Sequence, residues 1–296
     1  MLVNGKVWPF LEVEPRMYRL RVLNGCNARI LNLDVGAAKL WQIGAEGGMW
    51  DVPVPVGRMA LAPAERADVL VDFSKFAGQT LVVKNHKPPA PITTPAPSLE
   101  SVMQIRVGTT VTNPGPSSIP SSLPGRKADL GTATQTRYLT LNEIDADEPT
   151  WFLNISGLHF GEPAQETPRV GTVEDWVYIN LTADTHPFHT HLVTFQVIGR
   201  TPFDAEAYEE AFEPPGGGGV PGGHDPTPFA TGPMAPADPD ERGFKDTVKA
   251  NPGEFTTIRA KFELPSNVPA PQEYVYHCHI VEHEDNDMMR PFTVRT

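Results

Sequence analysis

The 296-residue chain is 40% hydrophobic and 20% charged, enough apolar material for a sizeable core and too much for wholesale disorder. Its 32 prolines disfavour long helices and favour short strands joined by turns. A net charge of −12 repels phosphate backbones and anionic lipid, which excludes nucleic acid as a partner. No run of about 18 apolar residues is present to cross a membrane.

The opening stretch MLVNGKVWPFLEVEP lacks the basic start and apolar centre of a signal peptide. In MYRLRV, Tyr18, Leu20 and Val22 alternate with Arg19 and Arg21, the pattern of a strand with one buried and one wet face. Residues 69–73 and 103–107 repeat it. Residues 112–126 are rich in Pro and Ser without periodicity and read as a linker between two β domains, 1–111 and 127–296. Alternation resumes at 176–179, 193–198 and 255–262, and one short helix is expected over 204–212 with Asp204 as its N-cap. Residues 213–241 hold eight prolines and seven glycines and read as a long loop that is either functional or mobile. The run Gly216 to Gly219 lacks the Lys and Ser/Thr of a phosphate loop, so it supplies only flexibility. The fold class is all-β, built of sandwiches or barrels.

The chemistry concentrates in two clusters, His186-Pro187-Phe188-His189-Thr190-His191 and His277-Cys278-His279 with His283 and Met288 close behind. Six of the nine histidines sit there. In an extended strand His277 and His279 point one way and Cys278 the other, so one tripeptide serves two metal sites back to back. A thiolate, two imidazoles and a weak axial thioether make the trigonal blue-copper set, and Cys278, His186, His283 and Met288 supply it. Zinc gains little from a thioether, and one Cys among six His is not a zinc-finger spacing. His189, His191, His277 and His279 form an all-imidazole group suited to copper that meets oxygen. His86, His159 and His224 are isolated and read as ordinary surface or loop histidines. Cys26 reads as an inert thiol at a turn, and Met289 faces away from Met288 into packing.

HPFHTH and HCHIVEHEDNDMM, together with VNGKVWPFLEVEP, LAPAERADVLVDF and GFKDTVKANPGE, resemble the multicopper oxidases, in particular the branch of spore-coat laccases, bilirubin oxidase and phenoxazinone synthase. The resemblance covers nearly the whole chain. It implies two cupredoxin-like Greek-key β-sandwich domains, the first like the family's copper-free second domain and the second like its copper-binding third. It further implies that His186, Cys278, His283 and axial Met288 bind type 1 copper, that His189 binds type 2 copper, and that His191, His277 and His279 bind the type 3 pair. Glu284 matches an acidic residue that assists proton delivery. The resemblance implies that a phenolic or similar small organic reductant, or a metal ion, donates electrons one at a time at the edge of His283, and that dioxygen accepts them at the trinuclear cluster.

The family's cluster uses eight histidines, four of them from two His-x-His pairs that this chain lacks upstream of His186. The expectation is therefore the C-terminal part of a laccase-like oxidase with a missing N-terminal cupredoxin domain, inactive by itself. The alternatives are a type 1 blue-copper electron carrier without oxidase activity and an assembly in which a separate polypeptide, or a facing copy of this chain, supplies the imidazoles. The resemblance implies work outside the cytoplasm.

Overall fold

In the Met17–Leu23 strand Arg19, Arg21 and Leu23 are exposed while Tyr18, Leu20 and Val22 turn inward, as period-two patterning demands. Its antiparallel neighbour Arg66–Asp72 buries Ala67, Val69 and Val71 on the same side. The computed structural model describes residues 1–94, 99–145 and 151–296. It divides into two units, residues 1–89 with 94–127 and residues 90–93 with 128–296.

In the first unit one sheet runs in the order Met17–Leu23, Arg66–Asp72, Leu40–Ala45, Gly48–Val56. The other runs Phe10–Val13, Ser101–Val107, Thr80–Asn85, Leu31–Asp34, Met59–Leu61. Leu33, Val69, Val71, Phe73 and Ile105 from both sheets meet in one apolar core. Residues 112–126 belong with this unit. The Leu123 N–H donates to the Asp51 carbonyl (2.7 Å) and the Gly125 N–H to that of Trp50 (3.1 Å). Gly125 is required there, since a Cβ would fall 1.8 Å from the Met49 carbonyl oxygen.

The second unit pairs a larger sheet with the one that carries the histidines. The larger runs Trp151–Ile155, Gln135–Asp145, Val173–Asn180, Glu254–Lys261, Phe195–Pro202, Ala235–Pro236, with Phe244–Lys245 also beside Phe195–Pro202. The smaller runs Thr247–Ala250, His186–Thr190, Gln272–Cys278, Met289–Val294. Trp176 of the larger sheet stacks on Phe262 (5.3 Å between ring centroids) and meets Phe292 of the smaller edge-on (5.6 Å), so aromatic rings bridge the layers. Each unit is a two-sheet β-sandwich, the architecture the alternation and turn spacing predict.

The helix Ala205–Phe212 is capped by Asp204, whose carboxylate accepts the Ala207 N–H (3.0 Å), and it buries Tyr208. The long loop beyond it is pinned at both ends. Asn142 accepts the Val220 N–H (2.9 Å) and donates to the Val220 carbonyl (3.1 Å). Arg200 grips Glu241 through two 2.7 Å hydrogen bonds, with Lys249 Nζ 3.5 Å away.

Candidate metal centre

Three features bring the donors together. Antiparallel pairing sets Phe188 opposite Cys278 and His189 opposite His277. Alternation then sends Cys278 to one face and His277 to the other. The short helix Val281–Asp285, immediately after the tripeptide, folds His283 back toward Cys278.

On the sulfur face, Cys278 Sγ lies 3.5 Å from His186 Nδ1 and 3.8 Å from His283 Nδ1, and the two nitrogens are 3.2 Å apart. A first-row ion about 2.1 Å from each nitrogen and about 2.3 Å from sulfur needs edges of about 3.6 and 3.8 Å in a trigonal plane. The three donors fit such an ion with adjustments of a few tenths of an ångström. Met288 is fully buried, and its backbone joins the same group: its N–H donates to the His283 carbonyl (2.9 Å) and its carbonyl accepts the Cys278 N–H (3.0 Å). Met289, half-buried, opens the next strand.

Protonation is arranged for binding a cation. Burial pushes the Cys278 thiol far above its ordinary value, so a thiolate forms here only with a cation to compensate. Burial, with the His283 charge adding, holds the His186 imidazole well below the usual range, and burial lowers His283 too. His186 Nε2 is 2.6 Å from the Thr182 hydroxyl; donation there leaves Nδ1 with a lone pair facing the sulfur.

The imidazole face is built on the same logic. His189 Nδ1 donates to the Asp246 carbonyl (2.8 Å), and His277 Nδ1 to the Cys278 carbonyl (3.0 Å), which frees both Nε2 atoms. His191 Nε2 and His277 Nε2 are 3.2 Å apart. The donors of His189, His191 and His277 all lie within 4.8 Å of one another. His279 stands beside them, its ring centroid 5.4 Å from that of His277 and 6.0 Å from that of His189. Burial pushes the His277 imidazole down to about 4, with His189 and His279 adding, and His191 is lowered by burial and the neighbouring rings. His277 and His191 are thereby held as neutral, metal-ready ligands near pH 7. Glu284 places Oε2 3.2 Å from His277 Nδ1.

A third grouping surrounds the outer side of His283, where donors of Glu143, Asp184 and His283 lie within 4.8 Å of one another. Burial raises the Glu143 carboxyl and Asp184 raises it further. The isolated histidines stay outside these groups. His86 bonds Asp34 (2.6 Å), His159 bonds Asp287 (2.9 Å) and His224 stacks on Phe212 (4.1 Å between centroids). Cys26 is half-buried and its thiol is pushed up by burial.

Sequence reading missed Thr182, Asp246, Glu143 and Asp184. Thr182 and Asp184 immediately precede the first histidine cluster, so proximity was the available signal. Asp246 acts through a backbone carbonyl and Glu143 arrives from a distant strand, and neither leaves a mark on residue patterning.

Residues 132–296 match the sequence model of the multicopper oxidases. The chain is 39% identical over 298 residues to a laccase of Bacillus subtilis, an alignment covering 99% of this chain and 54% of the laccase. It is 35% identical over 312 residues to a laccase of Haloferax volcanii, covering 99% and 46%. Among solved structures, a variant of the McoA multicopper oxidase from Aquifex aeolicus aligns over 100% of this chain and 59% of its own, with a TM-score of 0.78 and 29% identity. The chain spans about half the length of the curated relatives it matches.

Proposed function

The chain belongs to the multicopper oxidases, a family of oxidoreductases built on cupredoxin-like domains, and we propose that it carries the electron-receiving half of a laccase-like oxidase. In this reading His186, Cys278, His283 and Met288 hold a type 1 copper, His189 a type 2 copper, and His191, His277 and His279 a type 3 pair. Copper bound at these donors would supply one-electron redox chemistry between a reductant and dioxygen. The family's eight-imidazole cluster calls for four more histidines, which we assign to a further cupredoxin-like domain. Work outside the cytoplasm is part of the same reading.

The observation that carries it is the tripeptide His277-Cys278-His279, whose sulfur joins two imidazoles on one face while His277 joins a second group on the other, with the His279 ring beside it. Two covalent links therefore connect the two donor groups, the shortest bridge a polypeptide offers between them. A lone electron carrier has no use for the second group, which favours the oxidase over the carrier.

The chain's own residues do four things here. Thr182, the Asp246 carbonyl and the Cys278 carbonyl orient His186, His189 and His277. Phe188, Met288 and Ile280, all buried, keep water from the sulfur. Glu284 Oε2 accepts and returns protons beside His277; its side chain keeps 30% exposure, so it exchanges with solvent. Glu143 and Asp184 beside His283 give a reductant's approach a negative field, which favours cationic donors (metal ions or protonated aromatic amines) over anionic phenolates.

Copper analysis of the loaded chain, with its visible spectrum, tests the reading. About one tightly held copper with an intense visible band is expected, and Cys278→Ser abolishes the band because the charge transfer needs the thiolate. A Cys278→Ser protein that kept the band would remove Cys278 from the ligand set and end the reading.

A further inference from the structure

Alternation along the Gln272–Cys278 strand puts Tyr274, Tyr276 and Cys278 on one face, at successive steps of about 6.6 Å along the strand. Tyr276 is fully buried, and its hydroxyl donates to the Glu166 carboxylate (2.8 Å). Trp176 is also fully buried, 5.2 Å from Tyr276 between ring centroids, and its Nε1–H donates to the Glu174 carboxylate (3.2 Å). Phe292 lies 5.6 Å from Trp176 and 5.7 Å from the half-buried Tyr274, which closes the gap to the strand's outer end.

Buried Tyr and Trp ordinarily find a polar partner, and a backbone carbonyl would serve. Here both partners are carboxylates, 7% exposed for Glu166 and 2% for Glu174. Burying a carboxylate is costly, and a Phe at position 276 with an apolar residue at 166 would fill the same space without that cost. Glu174 is compensated by Arg137 (2.6 and 3.1 Å). Glu166 instead receives a phenol, the arrangement that proton-coupled oxidation of a tyrosine requires.

We propose that Tyr276, Trp176 and Tyr274 form a path that carries oxidising equivalents from the Cys278 side of the metal centre to the rim of the strand, with Glu166 holding the Tyr276 proton. The oxidant is of the class left when dioxygen reduction stalls, a hydroxyl radical or equivalent, which gains one electron to become hydroxide. Tyr276 supplies that electron; its O–H bond breaks, the proton moves to Glu166, and a neutral tyrosyl radical remains. Trp176 returns the electron and Glu166 the proton, which leaves the indole as a radical cation beside Glu174. Tyr274 refills Trp176 and loses its proton to water. A reductant in solution, such as a phenol, then restores Tyr274 by giving it one hydrogen atom. The path drains damage away from Cys278 and the imidazoles on either side of it.

Its protective use rests on the oxidase reading, but the path does not, so the test uses the full chain without metal. The transfers among Tyr276, Trp176 and Tyr274 run in either direction, and oxidation applied at the rim reports the same connection. Photogenerated tris(bipyridine)ruthenium(III) is too bulky to touch the fully buried Cys278. The readouts are loss of the Cys278 thiol by peptide mass analysis, with Cys26 as internal reference, and tyrosyl radical by freeze-quenched electron paramagnetic resonance. The native chain is expected to lose the Cys278 thiol and show the radical. Tyr276→Phe slows that loss by about an order of magnitude and Glu166→Gln by several-fold, with Cys26 unchanged. Equal loss in Tyr276→Phe and the native chain, or an intact Cys278 in the native chain, overturns the proposal. If Tyr276→Phe does not fold, half-buried Tyr274→Phe decides: a several-fold slower loss sustains the path and an unchanged one overturns it.

Discussion

On the sulfur face of His277-Cys278-His279 the donors are sealed by their own domain: His186, Cys278 and Met288 are fully buried and His283 is 9% exposed. On the opposite face only His277 is buried, while His189 and His279 are half-exposed and His191 is exposed. A thiolate ligand profits from a dry, low-dielectric surrounding, which strengthens its bond and tunes its potential. In the proposed reading the second group admits dioxygen and further imidazoles, and it has to stay open. The two faces of one strand thus carry imidazoles that differ in what covers them.

Breaking the support of the open face alone is the largest expected effect. Arg200 donates to the Lys249 carbonyl (3.2 and 3.1 Å) and to Glu241, so this buried network backs the Thr247–Ala250 strand beside His189. Burial by itself would raise the Glu241 carboxyl, but Arg200 and Lys249 outweigh it and hold it far below the carboxylate range. Glu241→Gln leaves Arg200 buried without its counter-charge and should cost about 3–5 kcal/mol in denaturant unfolding at pH 7, with the visible band of the loaded sulfur face kept. A depressed carboxyl contributes stability above its unfolded value of about 4.3 and loses it as pH falls toward the folded value. The gap between Glu241→Gln and the native chain should therefore shrink steadily as unfolding is measured below about pH 4.3.

Thr182→Val removes the partner of His186 Nε2 without touching the open face. Copper affinity of the sulfur face should fall about 10- to 100-fold in a competition titration, and imidazole-only binding should not change. Loss on both faces would show that the two groups are not independently supported. The subtlest change is Met288→Leu, which should raise the reduction potential measured by redox titration while the visible band stays. An unaltered potential would take Met288 out of the proposed ligand set.

Much of this was legible in the residues. Strict alternation, as in the Met17–Leu23 and Arg66–Asp72 strands, reports burial directly because side chains of a strand face opposite ways. Asp204 announced its helix because capping is local. Residues 112–126 were opaque: Pro and Ser richness reads as a linker, yet backbone hydrogen bonds to Trp50 and Asp51 tie this stretch to the first unit. The 213–241 loop was opaque too, because its anchors Asn142 and Arg200 lie on strands far away in sequence.

The sequence by itself determined the all-β class, the donor inventory and the split of His277 and Cys278 between two faces, because each follows from composition or from the two-residue period of a strand. Only the tertiary structure decided which nitrogen of His186, His189 and His277 is free, which carboxylates stand beside His283 and His277, and which group is sealed. Those depend on carbonyls, hydroxyls and side chains delivered by non-adjacent strands, and a hydrogen-bond partner chosen by folding leaves no periodicity to read.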